Sequence, residues 1–402
     1  MPFHHKRGEF MNFYQKAQEL FSYTQSVRRD IHQHPEIQHE ETRTAEIVAN
    51  TLQALDIPVK TNVFSTGVLG LLEGNGDGPT LMIRADMDAL TMQETNDVDY
   101  ASQTPGQMHA CGHDGHVAML LTAAKLLAQA RDTFPGKILF LFQPAEEGGF
   151  GALKMKEAGA LEWAKPDYSL GLHLWNEMPV GTIVVHGGPL MAGVRMFEVK
   201  IKGKGGHGAV PQLSVDPVLA AAHITTALQS VVSRNIGPLQ SAVISVCMIQ
   251  AGTASNVIPD TALMQGTMRG FTPEVWDVLN KRFVEVVEGT AAALGCEVEI
   301  FLEDPITPTT NDEEISQLTK TAIQELLPEV TIDEKHQTMG SEDMSIWLDE
   351  APGCFFFLGS ANPEKGLNYP HHHPKFDFDE AALPMGAAAI AGAAVKILNA
   401  KK

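Results

Sequence analysis

Positive charge is scarce in this sequence: 29 Lys and Arg stand against 49 Asp and Glu, a formal net charge of −20 at pH 7. So acidic a chain repels nucleic-acid phosphates and anionic lipid headgroups, which argues against both as partners. Long apolar runs are missing too; none reaches the roughly 18 uncharged residues that a membrane-crossing helix requires. Cysteine is sparse: Cys111, Cys247, Cys296 and Cys354, without CxxC spacing. In a chain of 402 residues that scatter predicts free thiols and a reducing, cytoplasmic setting. Three of the four lie in apolar stretches and are expected to be inert core residues; Cys111 does not. No apolar segment follows His4, His5, Lys6 and Arg7, so residues 1–10 do not read as a secretory signal. They are expected to be a leader or an added remnant outside the fold. There is no Gly-x-Ser-x-Gly elbow, which disfavours a serine hydrolase. The run Gly74-Asn75-Gly76-Asp77-Gly78 precedes a strand pattern and is followed by Pro79, so it reads as a hairpin turn, not a nucleotide-binding loop.

Residues 12–33 and 41–56 have the apolar periodicity of amphipathic helices. Beyond them, buried-strand patterns alternate with helical ones. Strands are expected at 80–86, 137–143, 168–174 and 354–358. Helices are expected at 115–130, with Asp114 as N-cap, and at 381–399. This alternation predicts an α/β domain whose mixed sheet carries helices on both faces. The middle of the chain differs. Strand patterns at 194–202, 242–250, 261–269 and 296–302, with helical patterns at 214–233 and 273–294, follow the order β-α-β-β-α-β, the ferredoxin-like unit. Residues 190–304 are therefore assigned to an inserted domain, and residues 1–189 with 305–402 to the domain it interrupts.

Candidate ligands collect where the strands end. Asp86 and Asp88 close the 80–86 run, Glu146 and Glu147 follow the 137–143 run, and His173 sits near the end of the 168–174 run. His109, Cys111, His113 and Asp114 lie just before a helix, and His371, His372 and His373 before the last helix. In open α/β sheets, sites form at the carboxyl ends of strands. Each cluster alone has a plain explanation: glutamates on a solvated face, a histidine bonded in the core, a surface histidine run. Their shared placement is what points to a site. Cys111 and His113, two apart in extended backbone, would point to one side, and the helix behind them would favour a thiolate. Thiolate and imidazole suit zinc or another transition metal better than magnesium. With Glu147, His173 and His372 the set is too large for one tetrahedral ion and fits two divalent ions bridged by water. Of the adjacent glutamates, one would coordinate and its neighbour act as general base. His32, His34 and His39 are expected to be structural or surface residues, His116 a supporting hydrogen bonder, and His186 and His223 outside the chemistry.

A series of motifs runs along the chain: Arg29-Asp30-Ile31-His32 with His34-Pro35-Glu36, Arg84-Ala85-Asp86-Met87-Asp88-Ala89-Leu90, Met108-His109-Ala110-Cys111-Gly112-His113-Asp114-Gly115-His116, Gln143-Pro144-Ala145-Glu146-Glu147-Gly148, Gly171-Leu172-His173, Gly205-Gly206-His207, Ala254-Ser255-Asn256-Val257-Ile258-Pro259 and His372-His373-Pro374. They resemble the motifs of the M20 metallopeptidase family. The resemblance covers nearly the whole chain and is greatest to the branch of aminoacylases, hippurate hydrolases and auxin-conjugate amidohydrolases. The resemblance implies that Cys111, His113, Glu147, His173 and His372 hold two divalent ions per subunit, Zn2+ or Mn2+ first, with Co2+ or Ni2+ also fitting. It implies that Glu146 is the general base and that Asp88 orients a ligand imidazole. It implies that the inserted domain is a lid that makes a homodimer contact, with higher homo-oligomers also open. His207 would then reach a partner's active site and polarise the scissile carbonyl, while Asn256 and Arg269 hold substrate. The implied reaction is hydrolysis of an N-acyl amino acid. Dipeptidase, carboxypeptidase or N-acyl-diaminopimelate deacetylase activity fits the same scaffold, and a non-catalytic metal-binding protein is the alternative of another class.

Overall fold

The computed structural model describes residues 12–402, so the expectation for residues 1–10 lies outside the described residues. These residues group into two compact units. One comprises the chain up to Leu190 with Thr310–His336 and Asp343–Lys402; the other comprises Met191–Thr309 with Gln337–Glu342. The short return of Gln337–Glu342 to the second unit is announced by no feature of the sequence.

The first unit is built on an eight-stranded sheet. Its order is Val59–Lys60, Val68–Glu73, Lys137–Gln143, Thr80–Asp86, Tyr168–Pro179, Gly353–Ala361, Thr182–Val184, Thr331–Asp333. The four central strands run parallel, and antiparallel pairs flank them, so the sheet is mixed. The central strands are near-continuous apolar runs because both faces are covered. One face sends Leu81, Ile83, Ile138, Phe140, Leu170, Leu172 and Phe356 into the main core, with the helices His113–Gln129 and Ala382–Ala400. Ala382–Ala400 has the length and apolarity of a membrane span, but 83% of its most apolar stretch is buried in this core. The other face is partly polar. Arg84 bonds Gln143 and Asp343 there, and Trp347 Nε1 donates to Gln143 at 2.8 Å. Asp86 and His173 share that second face by strand alternation.

The single helix expected at 12–33 is two, Phe13–Glu19 and Phe21–Gln33, because Leu20 leaves helical geometry (φ −90°, ψ 4°) while the apolar period continues. Gly74–Gly78 is not a hairpin turn: Val68–Glu73 and Thr80–Asp86 are separated in the sheet by Lys137–Gln143. Asp114 is not an N-cap; the helix begins at His113 behind Gly112, and Asp114 turns inward to an ion pair with buried Arg28 at 2.8 Å.

The second unit has a four-stranded antiparallel sheet ordered Ala242–Ala251, Thr261–Gly270, Gly193–Lys202, Glu297–Leu302. The helices Pro217–Asn235 and Pro273–Ala293 pack on it around Ile224, Leu228, Leu279 and Phe283. Asp216 and Thr272 cap these helices and proline follows each cap, which fixes where they start. Cys247 is exposed, not a core residue, because a bulge between Val246 and Met248 interrupts the alternation of this edge strand. Cys296 and Cys354 are buried.

Candidate metal centre

Strand 80–86 is where the sheet order reverses: its successor in sequence, 137–143, lies on one side and 168–179 on the other. Beyond Arg84 and Gly171 the strands 80–86 and 168–179 no longer pair, and a crevice opens. Imidazoles take over the stranded amides. Leu174 N–H donates to His116 Nε2 at 2.9 Å and Asn176 N–H to His371 Nε2 at 3.1 Å. His116 in turn donates from Nδ1 to Asp86 at 2.6 Å. Both of its nitrogens are thereby used, so it supports the site as expected of it.

The predicted ligands meet at this crevice. The ligand atoms of Cys111, His113 and His173 lie within 4.8 Å of one another, as do those of Cys111, Glu147 and His372. Cys111 and His113 do not reach this position by extended backbone, because Gly112 between them is left-handed (φ +90°), a conformation open to glycine. His113 Nδ1 lies 2.9 Å from the Asp88 carbonyl oxygen and His173 Nδ1 2.5 Å from that of Leu174. A carbonyl only accepts, so both rings carry hydrogen on Nδ1 and turn Nε2 to the cluster. His113 Nε2 is buried without a hydrogen-bond partner. His173 Nε2 is 3.6 Å from Cys111 Sγ. Glu147 Oε1 lies 3.0 Å from His372 Nε2 and 4.0 Å from His113 Nε2.

The electrostatics favour a cation. Burial lowers the proton affinity of His113, but Asp86, Asp88 and Glu147 outweigh it and carry its pKa up to about 10. Burial, with His116 and His371 nearby, holds His173 well below its usual value, so its ring is neutral. Burial and the charges of Glu147, Glu146 and Asp86 push the Cys111 thiol well above its usual value. The helix behind Cys111 therefore does not suffice to ionise it. An orphaned imidazole nitrogen, a thiol and carboxylates that already attract a proton fit a divalent cation, whose binding displaces protons from histidine and cysteine.

The three consecutive histidines take three different places. His372, left-handed at φ +59° and tied by its N–H to the Ala110 carbonyl, presents Nε2 to Glu147. His371 packs inward against Trp175, its ring centroid 5.1 Å away. His373 stacks on Tyr369 at 4.6 Å.

Asp88 does more than accompany His113. Its two oxygens accept the backbone N–H groups of Glu146 and Glu147, each at 3.0 Å. The carboxylates of Glu146 and Glu147 and the His113 ring form another close group.

Within the second unit, His207 and Asn256 are neighbours. Gly206–His207 pairs with Val257–Ile258, and Gly208 N–H donates to the Asn256 carbonyl at 2.9 Å. Arg269 is not with them. It lies at the far end of strand Thr261–Gly270, roughly 27 Å from the Asn256 end at about 3.4 Å per residue. There it donates to the Met339 carbonyl at 2.7 Å, and burial lowers its pKa.

A mixed α/β unit with imidazole, thiol and carboxylate donors at one end of its sheet is the arrangement of a metal-dependent hydrolase. The profile described as Peptidase family M20/M25/M40 matches residues 82–396. The chain belongs to this family and is a hydrolase of the M20 type. It is 40% identical over 389 residues to thermostable carboxypeptidase 2 of Saccharolobus solfataricus, covering 95% of this chain and 97% of that one. It is 41% identical over 383 residues to N-acetylcysteine deacetylase of Bacillus subtilis, covering 94% and 97%. The crystal structure of the Bacillus subtilis YXEP protein, described as a dinuclear metal binding peptidase of family M20, superposes with a TM-score of 0.84 at 36% identity, covering 95% and 99%.

Proposed function

We propose that this enzyme hydrolyses the amide bond of an N-acyl amino acid, releasing a carboxylic acid and a free amino acid. The observation that carries this reading is the pair Glu146 and Glu147 on one clamped turn: Glu147 is engaged by His372 and faces His113, and Glu146 stands beside it on the same Asp88-held backbone, close to the His113 ring. Cys111, His113, Glu147, His173 and His372 would hold two divalent ions; thiolate with imidazole favours Zn2+, the carboxylate ligand admits Mn2+, and Co2+ and Ni2+ are alternatives. Bound ions of this kind acidify water and polarise a carbonyl. Glu146 takes the proton of the attacking water and delivers it to the departing amine nitrogen. Asp88 keeps the His113 ring and the Glu146–Glu147 turn in register.

The second unit supplies substrate contacts in this reading. Arg269 grips the substrate carboxylate, for which a guanidinium is the suited partner. One N-acyl amino acid is too short to touch both Arg269 and Asn256 of one protomer. In the homodimer that the family resemblance implies, Asn256 and His207 act on the partner's site, His207 at the scissile carbonyl. The similarity to a protein named N-acetylcysteine deacetylase supports the acyl class, and the one named carboxypeptidase keeps peptide cleavage as the second reading. The deciding experiment is amine release from N-acetyl and N-benzoyl amino acids beside unblocked dipeptides and N-blocked peptides, with metal content measured before and after chelation. Turnover confined to peptides would replace the first reading with the second; turnover unaffected by metal removal would overturn both.

A further inference from the structure

The turn that carries Glu146 and Glu147 is held from below at three successive amides. Asp88 takes those of Glu146 and Glu147. The third, Ala145 N–H, donates at 2.9 Å to Oε1 of Glu41, a residue 104 positions away in the chain. Glu41 is fully buried. Its Oε1 also accepts His39 N–H at 3.1 Å, and its Oε2 accepts the Thr66 hydroxyl at 2.6 Å. Glu41 stands at the start of helix Thr42–Gln53, where a carboxylate ordinarily caps the first turn. That work is done by Glu36, which accepts Arg43 N–H at 2.8 Å and Thr44 N–H at 2.9 Å. Glu41 is thus committed to a distant loop.

Ala145 needs such an anchor. It is left-handed at φ +55°, unusual for a residue with a Cβ. It immediately precedes Glu146, so its φ and ψ set the direction in which the Glu146 backbone leaves the strand. Asp88 fixes the two amides that follow, and the Ala145 carbonyl accepts Gly151 N–H at 3.0 Å. Glu41 is the side chain that holds the Ala145 amide itself.

We propose that Glu41 is a positioning residue that locks Ala145 in its left-handed conformation and so aims Glu146 at the reacting water; this rests on Glu146 being the general base. The Asp88 clamp remains when Glu41 is lost, so the metals stay bound while proton transfer suffers.

The test compares Glu41→Ala and Glu41→Gln in the metal-loaded protein. In Glu41→Ala, kcat on an N-acetyl amino acid falls about tenfold to a hundredfold, as expected for a misplaced catalytic group, with KM and metal content unchanged. Amide exchange over residues 144–149 rises about tenfold or more while the central strands stay protected. In Glu41→Gln, whose side-chain oxygen still accepts the Ala145 N–H, both kcat and protection recover. Should Glu41→Ala fail to fold, Glu41→Asp, one methylene short of Ala145, carries the same expectation. Unchanged exchange over 144–149, or losses that Gln does not recover, overturns the proposal. A wild type that hydrolyses no N-acyl amino acid, with exchange behaving as described, overturns the general-base reading and leaves Glu41 as anchor of the turn.

Discussion

His372 Nε2 closes on Glu147 Oε1 at 3.0 Å, while its neighbours turn away, His371 toward Trp175 and His373 onto Tyr369. That contact separates His372, the expected ligand, from the histidines on either side of it. His372→Ala is expected to lower bound metal and turnover together. His373→Ala, whose ring stacks on exposed Tyr369, is expected to leave metal content at the wild-type level. Metal analysis on the two purified variants checks this, and equal losses in both would remove His372 from the ligand set.

The two glutamates should separate in the same way. Glu146→Gln keeps the turn and its Asp88 clamp, so metal stays bound while kcat drops on the order of 100-fold or more. Glu147→Gln weakens the His372 contact and loses metal. Turnover per bound ion is the discriminating measurement; if the variants exchange these behaviours, the two roles are swapped.

Beneath the ligand loop, Arg28 is fully buried and bonds Asp114 at 2.8 Å, Asp377 at 2.7 Å and Glu380 at 3.3 Å. Replacing one partner of a buried ion network strands the others, at a cost of about 3–5 kcal/mol. Arg28→Met should lower the unfolding free energy by that amount in urea titration. A change below about 1 kcal/mol would show that water enters and solvates the carboxylates.

Much of the fold was legible because continuous apolar runs such as Lys137–Gln143 and Gly353–Ala361 mark central strands; Glu147 and His173 were legible as ligand candidates because they lie at the ends of such runs, and Cys111, His113 and His372 because they cluster with other possible ligands ahead of helices. What local pattern could not show is partnership at a distance. Nothing near Glu41 signals Ala145, and nothing near Arg28 signals Asp377, since the bond in each case depends on how the chain packs. Short strands escaped for a related reason. Without Val68–Glu73 in view, Gly74–Gly78 looks like a hairpin, although a strand from much later in the chain inserts between its arms. At Leu20 the apolar period continues through the break, so periodicity alone predicts one helix where there are two.

If His207 acts on a partner's site, subunits defective in different places should repair each other. His207→Ala and Glu146→Gln, each inactive alone, are expected to regain part of wild-type activity when mixed as verified heterodimers. One site in such a dimer has both an intact Glu146 and an intact His207 contributed by the other chain. No recovery would place His207 in the site of its own protomer or outside the chemistry.

Burial, with Asp88 adding like charge, raises the Glu41 carboxyl from 4.5 to about 7 against the opposing bond from Thr66. The folded chain therefore holds this proton more tightly than the unfolded one. Its contribution to stability is complete below about 4.5 and is lost as pH rises through about 7, where the folded chain must keep an ionised carboxylate out of water. The interval corresponds to on the order of 3 kcal/mol. Glu41→Gln removes the titration and keeps the shape. Unfolding free energies of wild type and Glu41→Gln, measured in urea between pH 4.5 and pH 8, should diverge in favour of the variant as pH rises, and run parallel above about 7.5. The measurement belongs on protein freed of metal by chelation, since a nearby cation favours the ionised carboxylate and would hide the effect. Parallel curves across the whole range would mean that Glu41 titrates alike in both states, and that its charge is solvated or balanced in the folded chain.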